Sequence, residues 1–352
     1  MSTDFLTLGE GSTPLLRSRG IGPSSGIQNL YFKLETTNPS GSFKDRFAAA
    51  AINDMLAKGK TLCLATSSGN TGAALAAYTA AAGILCHIAI VETAPESKLQ
   101  QMHAYGAMLY RIKGFGLDVD VSNGVFNVLQ EAASVEAAEL QISAFKYSPT
   151  GMAGVRALSY ELAEQQPQGI DHVFCPAGGG GLCVAAAEGF LELRQEGLIE
   201  FLPGVECVQT EGNNTIAGPL REGASTGQDI TCTSTISGLQ VTTNVDGDAA
   251  IRTCRATGGN GHLVNDESVY EAQARLARVE GIFSEPAGAT ALAGALQAVE
   301  SGEVSRDAVI ACLVTGSGFK DEKSLVKMAE DRSAPMLESV DLFREALEEA
   351  AG

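Results

Sequence analysis

The sequence predicts an α/β fold of two open, mostly parallel twisted sheets flanked by helices, and three observations carry that reading. Short apolar runs such as TLCLAT, LCHIAIV, HVFC and AVIACLV alternate with stretches of helical period. The joints between them are rich in small residues, and 40 of the 352 residues are glycine. At about 150 residues per domain, the length provides for two domains.

The elements follow in order after an N-terminal segment. A helix runs from Phe43 to Lys58, with Phe43, Phe47, Ala51 and Met55 on one face and Ser42 as its cap. TLCLAT (61–66) reads as a buried strand, 71–82 as a helix and 85–91 as the next strand. Further on come a helix over 97–105, a strand over 107–112, a helix over 121–140 and a short strand over 142–145. This βαβ repetition implies parallel pairing. A second series begins near residue 150: helix 152–165, strand 172–175, helix 182–196 and strand 205–209. Residues 210–247 have no period and read as irregular. Helix 266–280 takes Asp266 as its N-cap, Pro286 opens another helix at a first-turn position, and 308–314 is an apolar strand. The acidic tail after Lys323 reads as surface helix.

Composition narrows the function. Lys and Arg number 24 against 42 Asp and Glu, a formal charge of −18, and no basic block occurs. Nucleic acid and anionic membrane surfaces are therefore disfavoured as partners. An anionic ligand must be held by local devices such as helix N-termini and glycine amides. The eight cysteines show no two-residue spacing, so no metal site is expected. MSTDFLTLGEG lacks the n- and h-regions of a secretory signal, and the reading is a cytoplasmic protein. The Ala-rich stretch 73–91 contains His87 and Gly83 and reads as a buried helix and strand, not a membrane span.

Three strands end in small-residue turns: Ser67-Ser68-Gly69-Asn70, Gly178-Gly179-Gly180-Gly181 and Thr315-Gly316-Ser317-Gly318. Ligands gather at such strand ends, so the turns predict one composite cleft. Four glycines ahead of a helix leave several amides free for one anion, and neither the Walker nor the dinucleotide spacing is present. Ser67, Ser68, Gly69, Asn70 and Thr71 offer hydroxyls and amides to a carboxylate. Thr315 and Ser317 offer hydroxyls that suit a ring nitrogen. Lys44 stands in the first turn of its helix, where the macrodipole disfavours a cation; partly desolvated, it is pushed toward the neutral amine that attacks a carbonyl.

The segments NPSGSFKDR, SSGNTGAALAAYTAAAG, PAGGGGL, EPAGATALAGAL and VTGSGFKD occur in this order. In order and spacing they resemble the pyridoxal-phosphate enzymes of the tryptophan synthase β fold, most closely the threonine synthases. The resemblance implies pyridoxal 5′-phosphate in an interdomain cleft. Residues 48–150 would form the smaller domain, 1–47 plus 151–335 the larger, and 336–352 the tail. It implies that Lys44 forms the Schiff base and acts as base at Cα. Asn70 would meet the cofactor hydroxyl, Gly178 to Leu182 its phosphate, and Thr315 with Ser317 its ring nitrogen. Ser67, Ser68, Gly69 and Thr71 would bind the carboxylate of a small amino acid, and the assembly would be a homodimer.

Two departures stand out. Where threonine synthases carry an arginine for the substrate phosphate, this chain reads Tyr147-Ser148-Pro149-Thr150-Gly151, with Lys146 or Arg156 as candidate replacements. The glycine loop, Gly-Gly-Gly-Gly-Leu, is closer to the serine and threonine dehydratases. The expected activity is threonine-synthase-like elimination and water addition. A dehydratase, a β-replacement enzyme related to cysteate synthase, and a non-catalytic cofactor-binding protein are the alternatives.

Overall fold

The computed structural model describes residues 5–329 and 332–351. Strands β1 (Leu15–Arg17) and β2 (Asn29–Leu34) pair antiparallel around the single-turn helix α1 (Ile21–Ser24). Helix α2 (Lys44–Ala57) then leads into β3 (Leu62–Thr66), α3 (Asn70–Ala82), β4 (Leu85–Ile90), α4 (Glu96–Ala104), β5 (Met108–Arg111), α5 (Val119–Ala133) and β6 (Ala138–Gln141). These four strands form an all-parallel sheet in the order β5-β4-β3-β6.

The chain continues through α6 (Pro149–Ala153), α7 (Ala157–Gln165), β7 (His172–Pro176), α8 (Gly181–Gln195), β8 (Gly204–Thr210), α9 (Ala217–Arg221), α10 (Gly247–Ala256) and β9 (Gly261–Val264). It closes with α11 (Asp266–Arg275), α12 (Pro286–Glu300), β10 (Val309–Val314), α13 (Glu322–Ala329) and α14 (Val340–Ala351). The six-stranded sheet runs β1-β2-β10-β7-β8-β9, parallel except for β1.

Local chemistry sets many of the boundaries. Helix α3 ends because Gly83 turns left-handed (φ 68°), which costs a glycine little. Helix α5 begins where the Asp118 carboxylate accepts the amides of Asp120 and Val121 at 2.8 and 3.0 Å. Pro286 opens α12, where an amide would be orphaned anyway. Helix α3 is buried almost all round, which its alanines permit, because α2 and the smaller sheet enclose it. One core cluster joins Phe47 of α2 to Val173 of β7 and Phe190 of α8 beneath both sheets. Each such large side chain contributes about 1.5–3 kcal/mol by leaving water.

Several expectations need correction. Helix α5 stops at Ala133, and the following strand is 138–141, not 142–145, because β6 must align with β3 from Leu62↔Ala138 to Ala65↔Gln141. Asn265, not Asp266, caps α11: its side chain accepts the Ser268 amide, while Asp266 receives Thr235. Phe43 occupies the boundary of α2, and Ser42 Oγ lies 3.4 Å from the Lys44 amide. The irregular region includes the short helix α9, and β1, β2, α10 and β9 had no reading in the sequence. Among the described residues no helix is long and apolar enough to cross a membrane.

Candidate active site

The carboxyl ends of β3, β7 and β10 lead into the three small-residue turns, and α2 enters between them. The Phe43 amide donates to Thr315 O at 3.0 Å and the Ser317 amide to Gly41 O at 2.9 Å, so the segment before Lys44 is stitched to the turn after β10. The geometry of α2 thus inherits the rigidity of the large sheet.

Lys44 Nζ donates to Ser143 Oγ at 2.8 Å, and Ser143 Oγ lies 2.7 Å from Thr71 Oγ1. Burial lowers the Lys44 pKa to about 8, with the carboxylates of Asp246 and Glu285 only partly restoring the charged form. With its pKa about 8, the amine carries a neutral fraction near physiological pH that an ordinary lysine lacks, and the neutral form is what a nucleophile or general base requires.

The glycine loop leaves a row of backbone donors free. Among the described residues the amides of Gly178, Gly179, Gly180, Gly181 and Leu182 have no acceptor, and α8 stands behind them. Five bare donors at the positive end of a long helix suit an anionic group. Gly180 adopts φ 93°, and a Cβ on Gly181 would stand 2.8 Å from Met152 Cε and 3.0 Å from Asp246 Oδ2. Gln209 braces the loop: Nε2 donates to Gly178 O at 3.2 Å while Oε1 accepts the amides of Thr215, Ile216 and Ala217.

Opposite the loop, Asn70 Nδ2 donates to Glu285 Oε1 at 2.6 Å, and the Glu285 amide donates to Gly316 O at 3.0 Å. Burial raises the Glu285 pKa to about 7, against the stabilising Asn70 hydrogen bond and the charges of Lys98 and Lys320. Thr315 is buried, yet its hydroxyl has no partner among the described residues. Ser67 Oγ accepts the Gly69 amide at 3.2 Å, shaping the turn that opens α3.

The turns therefore meet around Lys44, together with residues that sequence reasoning passed over. Ser143 offered no signal beyond a small polar residue after a strand. Asp246 lies in the aperiodic stretch, yet its carboxylate accepts the amides of Phe145 and Lys146 at 2.8 and 3.1 Å, and its own amide donates to Gly179 O. Glu285 carried a readable signal, since it immediately precedes the helix-opening Pro286. Lys146 is exposed, with Nζ 5.4 Å from the Tyr147 ring centre. Arg156 does not join the cluster: Glu188 and Glu192 of α8 hold its guanidinium at 2.6–3.0 Å.

The sequence pattern of the family described as "Pyridoxal-phosphate dependent enzyme" matches residues 6–316. The chain belongs to the pyridoxal-phosphate dependent enzymes. Pyridoxal 5′-phosphate is accordingly the cofactor, and the bare amides, the unpaired Thr315 hydroxyl and the depressed lysine fit its phosphate, ring nitrogen and aldehyde in chemical kind. The chain is 32% identical to the threonine synthase of Methanocaldococcus jannaschii, over 93% of this chain and 79% of the relative. Identity to the threonine synthase of Mycobacterium tuberculosis is also 32%, over 92% and 85%. Among solved structures, maize serine racemase superposes with a TM-score of 0.74 at 26% identity, over 91% of this chain and 92% of that one. A tomato threonine deaminase shares the fold with a TM-score of 0.74 at 20% identity, over 92% and 88%.

Proposed function

We propose that this pyridoxal-phosphate dependent enzyme is a threonine-synthase-like lyase that converts O-phosphohomoserine and water to threonine and phosphate. The observation that carries an elimination chemistry is the Lys44 amine, depressed to about 8 and hydrogen-bonded at 2.8 Å to Ser143 amid three strand-end turns. The likeness to threonine synthases over more than nine-tenths of the chain supports the substrate.

In this reading Lys44 holds the cofactor, the amides of Gly178 to Leu182 take its phosphate, Thr315 and Ser317 face its ring nitrogen and Asn70 its ring hydroxyl. Bound there, pyridoxal phosphate supplies an electron sink for negative charge at Cα. The chain's own residues do the rest. Ser67, Ser68, Gly69 and Thr71, at the N-terminus of α3, bind the substrate carboxylate. Lys44 Nζ takes the Cα proton and returns it, with Ser143 and Thr71 fixing its direction. Glu285 orients the Asn70 amide, and Lys146 meets the distal anion of the substrate.

A second reading, a serine or threonine dehydratase, is favoured by one observation: the stretch 147–151, where an arginine is expected, carries none, and Ser148 within it is buried with its hydroxyl accepting the Ile142 amide at 3.0 Å. Holoenzyme incubated separately with O-phosphohomoserine, O-phosphoserine, threonine and serine distinguishes the two. The proposal expects phosphate and threonine in equal amounts from O-phosphohomoserine. Oxoacid and ammonia from threonine or serine, with no threonine formed, would replace it with the dehydratase.

A further inference from the structure

The cleft residues come from the surroundings of both sheets. The glycine loop follows β7 of the larger sheet and the segment before Lys44 is stitched to the turn after β10, whereas Ser143 and Lys146 follow β6 of the smaller sheet. One buried side chain with no part in the proposed chemistry joins the two sides. It is Asp246, 5% exposed, at the start of α10.

An aspartate at a helix N-cap ordinarily directs its carboxylate to the amides of its own helix. Here it makes no hydrogen bond to the first turn of α10. Both oxygens reach across instead: Oδ2 accepts the Phe145 amide at 2.8 Å and Oδ1 the Lys146 amide at 3.1 Å. Those two amides have no other acceptor among the described residues. The Asp246 amide donates to Gly179 O at 3.0 Å, and a Cβ on Gly181 would stand 3.0 Å from Oδ2, so the same residue rests on the glycine loop. Two amides donating to two oxygens suit the ionised form. Burial opposes that charge and raises the pKa, while the amides and the ammonium groups of Lys44 and Lys146 work the other way.

The carboxylate also lies in the field of Lys44. Burial drives the Lys44 ammonium toward the neutral amine, and two carboxylates oppose it, Asp246 more strongly than Glu285. Its direct neighbours, the Ser143 hydroxyl at 2.8 Å and the Phe43 ring with its centre 4.5 Å away, are uncharged. Glu285 acts from the side of Asn70, and Asp246 from the side of Lys146.

From this geometry we infer that Asp246 is a positioning residue for the reaction: it fastens the segment carrying Ser143 and Lys146 to the glycine loop and serves as counter-charge to Lys44. The inference rests on the proposed function, in which Lys44 holds the cofactor and Lys146 meets the distal anion of the substrate.

Asp246→Asn removes the charge at nearly constant size, and Asp246→Glu keeps it. Capture of pyridoxal phosphate by apoenzyme, followed by absorbance across pH, reads the Lys44 amine. Without the negative charge the ammonium loses support, so the capture midpoint of Asp246→Asn should fall about one unit below that of the parent, while Asp246→Glu stays near the parent. In holoenzyme, Asp246→Asn should raise the KM for O-phosphohomoserine about tenfold or more, as expected for hydrogen bonds to a charged group, with kcat nearly unchanged. That increase should shrink in a Lys146→Ala background, because the two residues act on one anion. An unmoved midpoint in Asp246→Asn, or an equal shift in Asp246→Glu, would overturn the counter-charge. A loss confined to kcat, or full additivity with Lys146→Ala, would overturn the positioning role. If the parent does not turn over O-phosphohomoserine, the proposed substrate falls and the capture midpoint still decides Asp246; borohydride trapping at a lysine other than Lys44 would overturn the cleft reading itself.

Discussion

Two cations two residues apart on α2 meet opposite fates. Successive side chains advance about 100° around a helix, so Lys44 and Arg46 project from different faces. Arg46 finds Glu35 and Glu161, with four contacts between 2.6 and 2.8 Å; Lys33 adds a 2.6 Å bond to Glu161. Burial works against the Arg46 charge, but the two carboxylates outweigh it and hold the guanidinium more firmly protonated than usual. Lys44 finds a neutral hydroxyl, and the carboxylates in its field do not offset burial. A buried cation with matched counter-charges acts as a strut; one without them becomes a reagent.

Breaking the reagent should have the largest effect. Lys44→Ala is expected to lower turnover by about 10⁴-fold or more, with an unchanged or raised melting temperature and no residue-44 adduct after borohydride reduction. Breaking the strut should act on stability instead. Glu161→Ala strips Arg46 and Lys33 of a shared partner and should cost about 3–5 kcal/mol in urea unfolding, while kcat of the folded fraction stays near that of the parent.

The two sites also differ in their response to pH. Glu161 is opposed by burial, but Arg46 and Lys33 outweigh this and depress its pKa from 4.5 to about 2. Its stabilisation is therefore complete above pH 4.5 and lost as pH falls toward 2. Acid titration of stability should lose slope in this window in Glu161→Gln. At Lys44 the neutral form reacts, so capture of pyridoxal phosphate by apoenzyme should accelerate with rising pH and level off above about 8; a midpoint near the free-lysine value of about 10.4 would contradict the burial argument. The smallest effect is expected at Glu285, whose pKa burial raises to about 7. Glu285→Gln should lower kcat about tenfold, the loss of about 1.4 kcal/mol of positioning through the Asn70 hydrogen bond, and flatten the pH profile near neutrality.

Much of this arrangement was legible from residue patterns. Apolar runs such as TLCLAT and AVIACLV can be satisfied only by burial on both faces, which is why β3 and β10 lie inside parallel sheets. The helix end at Gly83 and the helix start at Pro286 follow from backbone chemistry that needs no neighbours. Four glycines before a helix leave their amides bare wherever the helix is placed. Strands β1, β2 and β9 were not legible. Their short segments carry little periodicity of their own and become strands by hydrogen-bonding to neighbours, β2 to β10, β1 to β2 and β9 to β8.

The chain's own residue order thus determined where Lys44, the glycine loop and the polar turns stand relative to helix and strand ends, because those features depend on local dihedral preferences and hydrophobic period. Only the tertiary structure decided which buried charges are paired. Lys44, Ser143, Asp246 and Glu285 lie far apart in sequence, and their protonation depends on burial and on carboxylates that folding alone brings near. Such through-space terms leave no trace in a linear pattern, which is why Ser143 and Asp246 stood out only once the chain was folded.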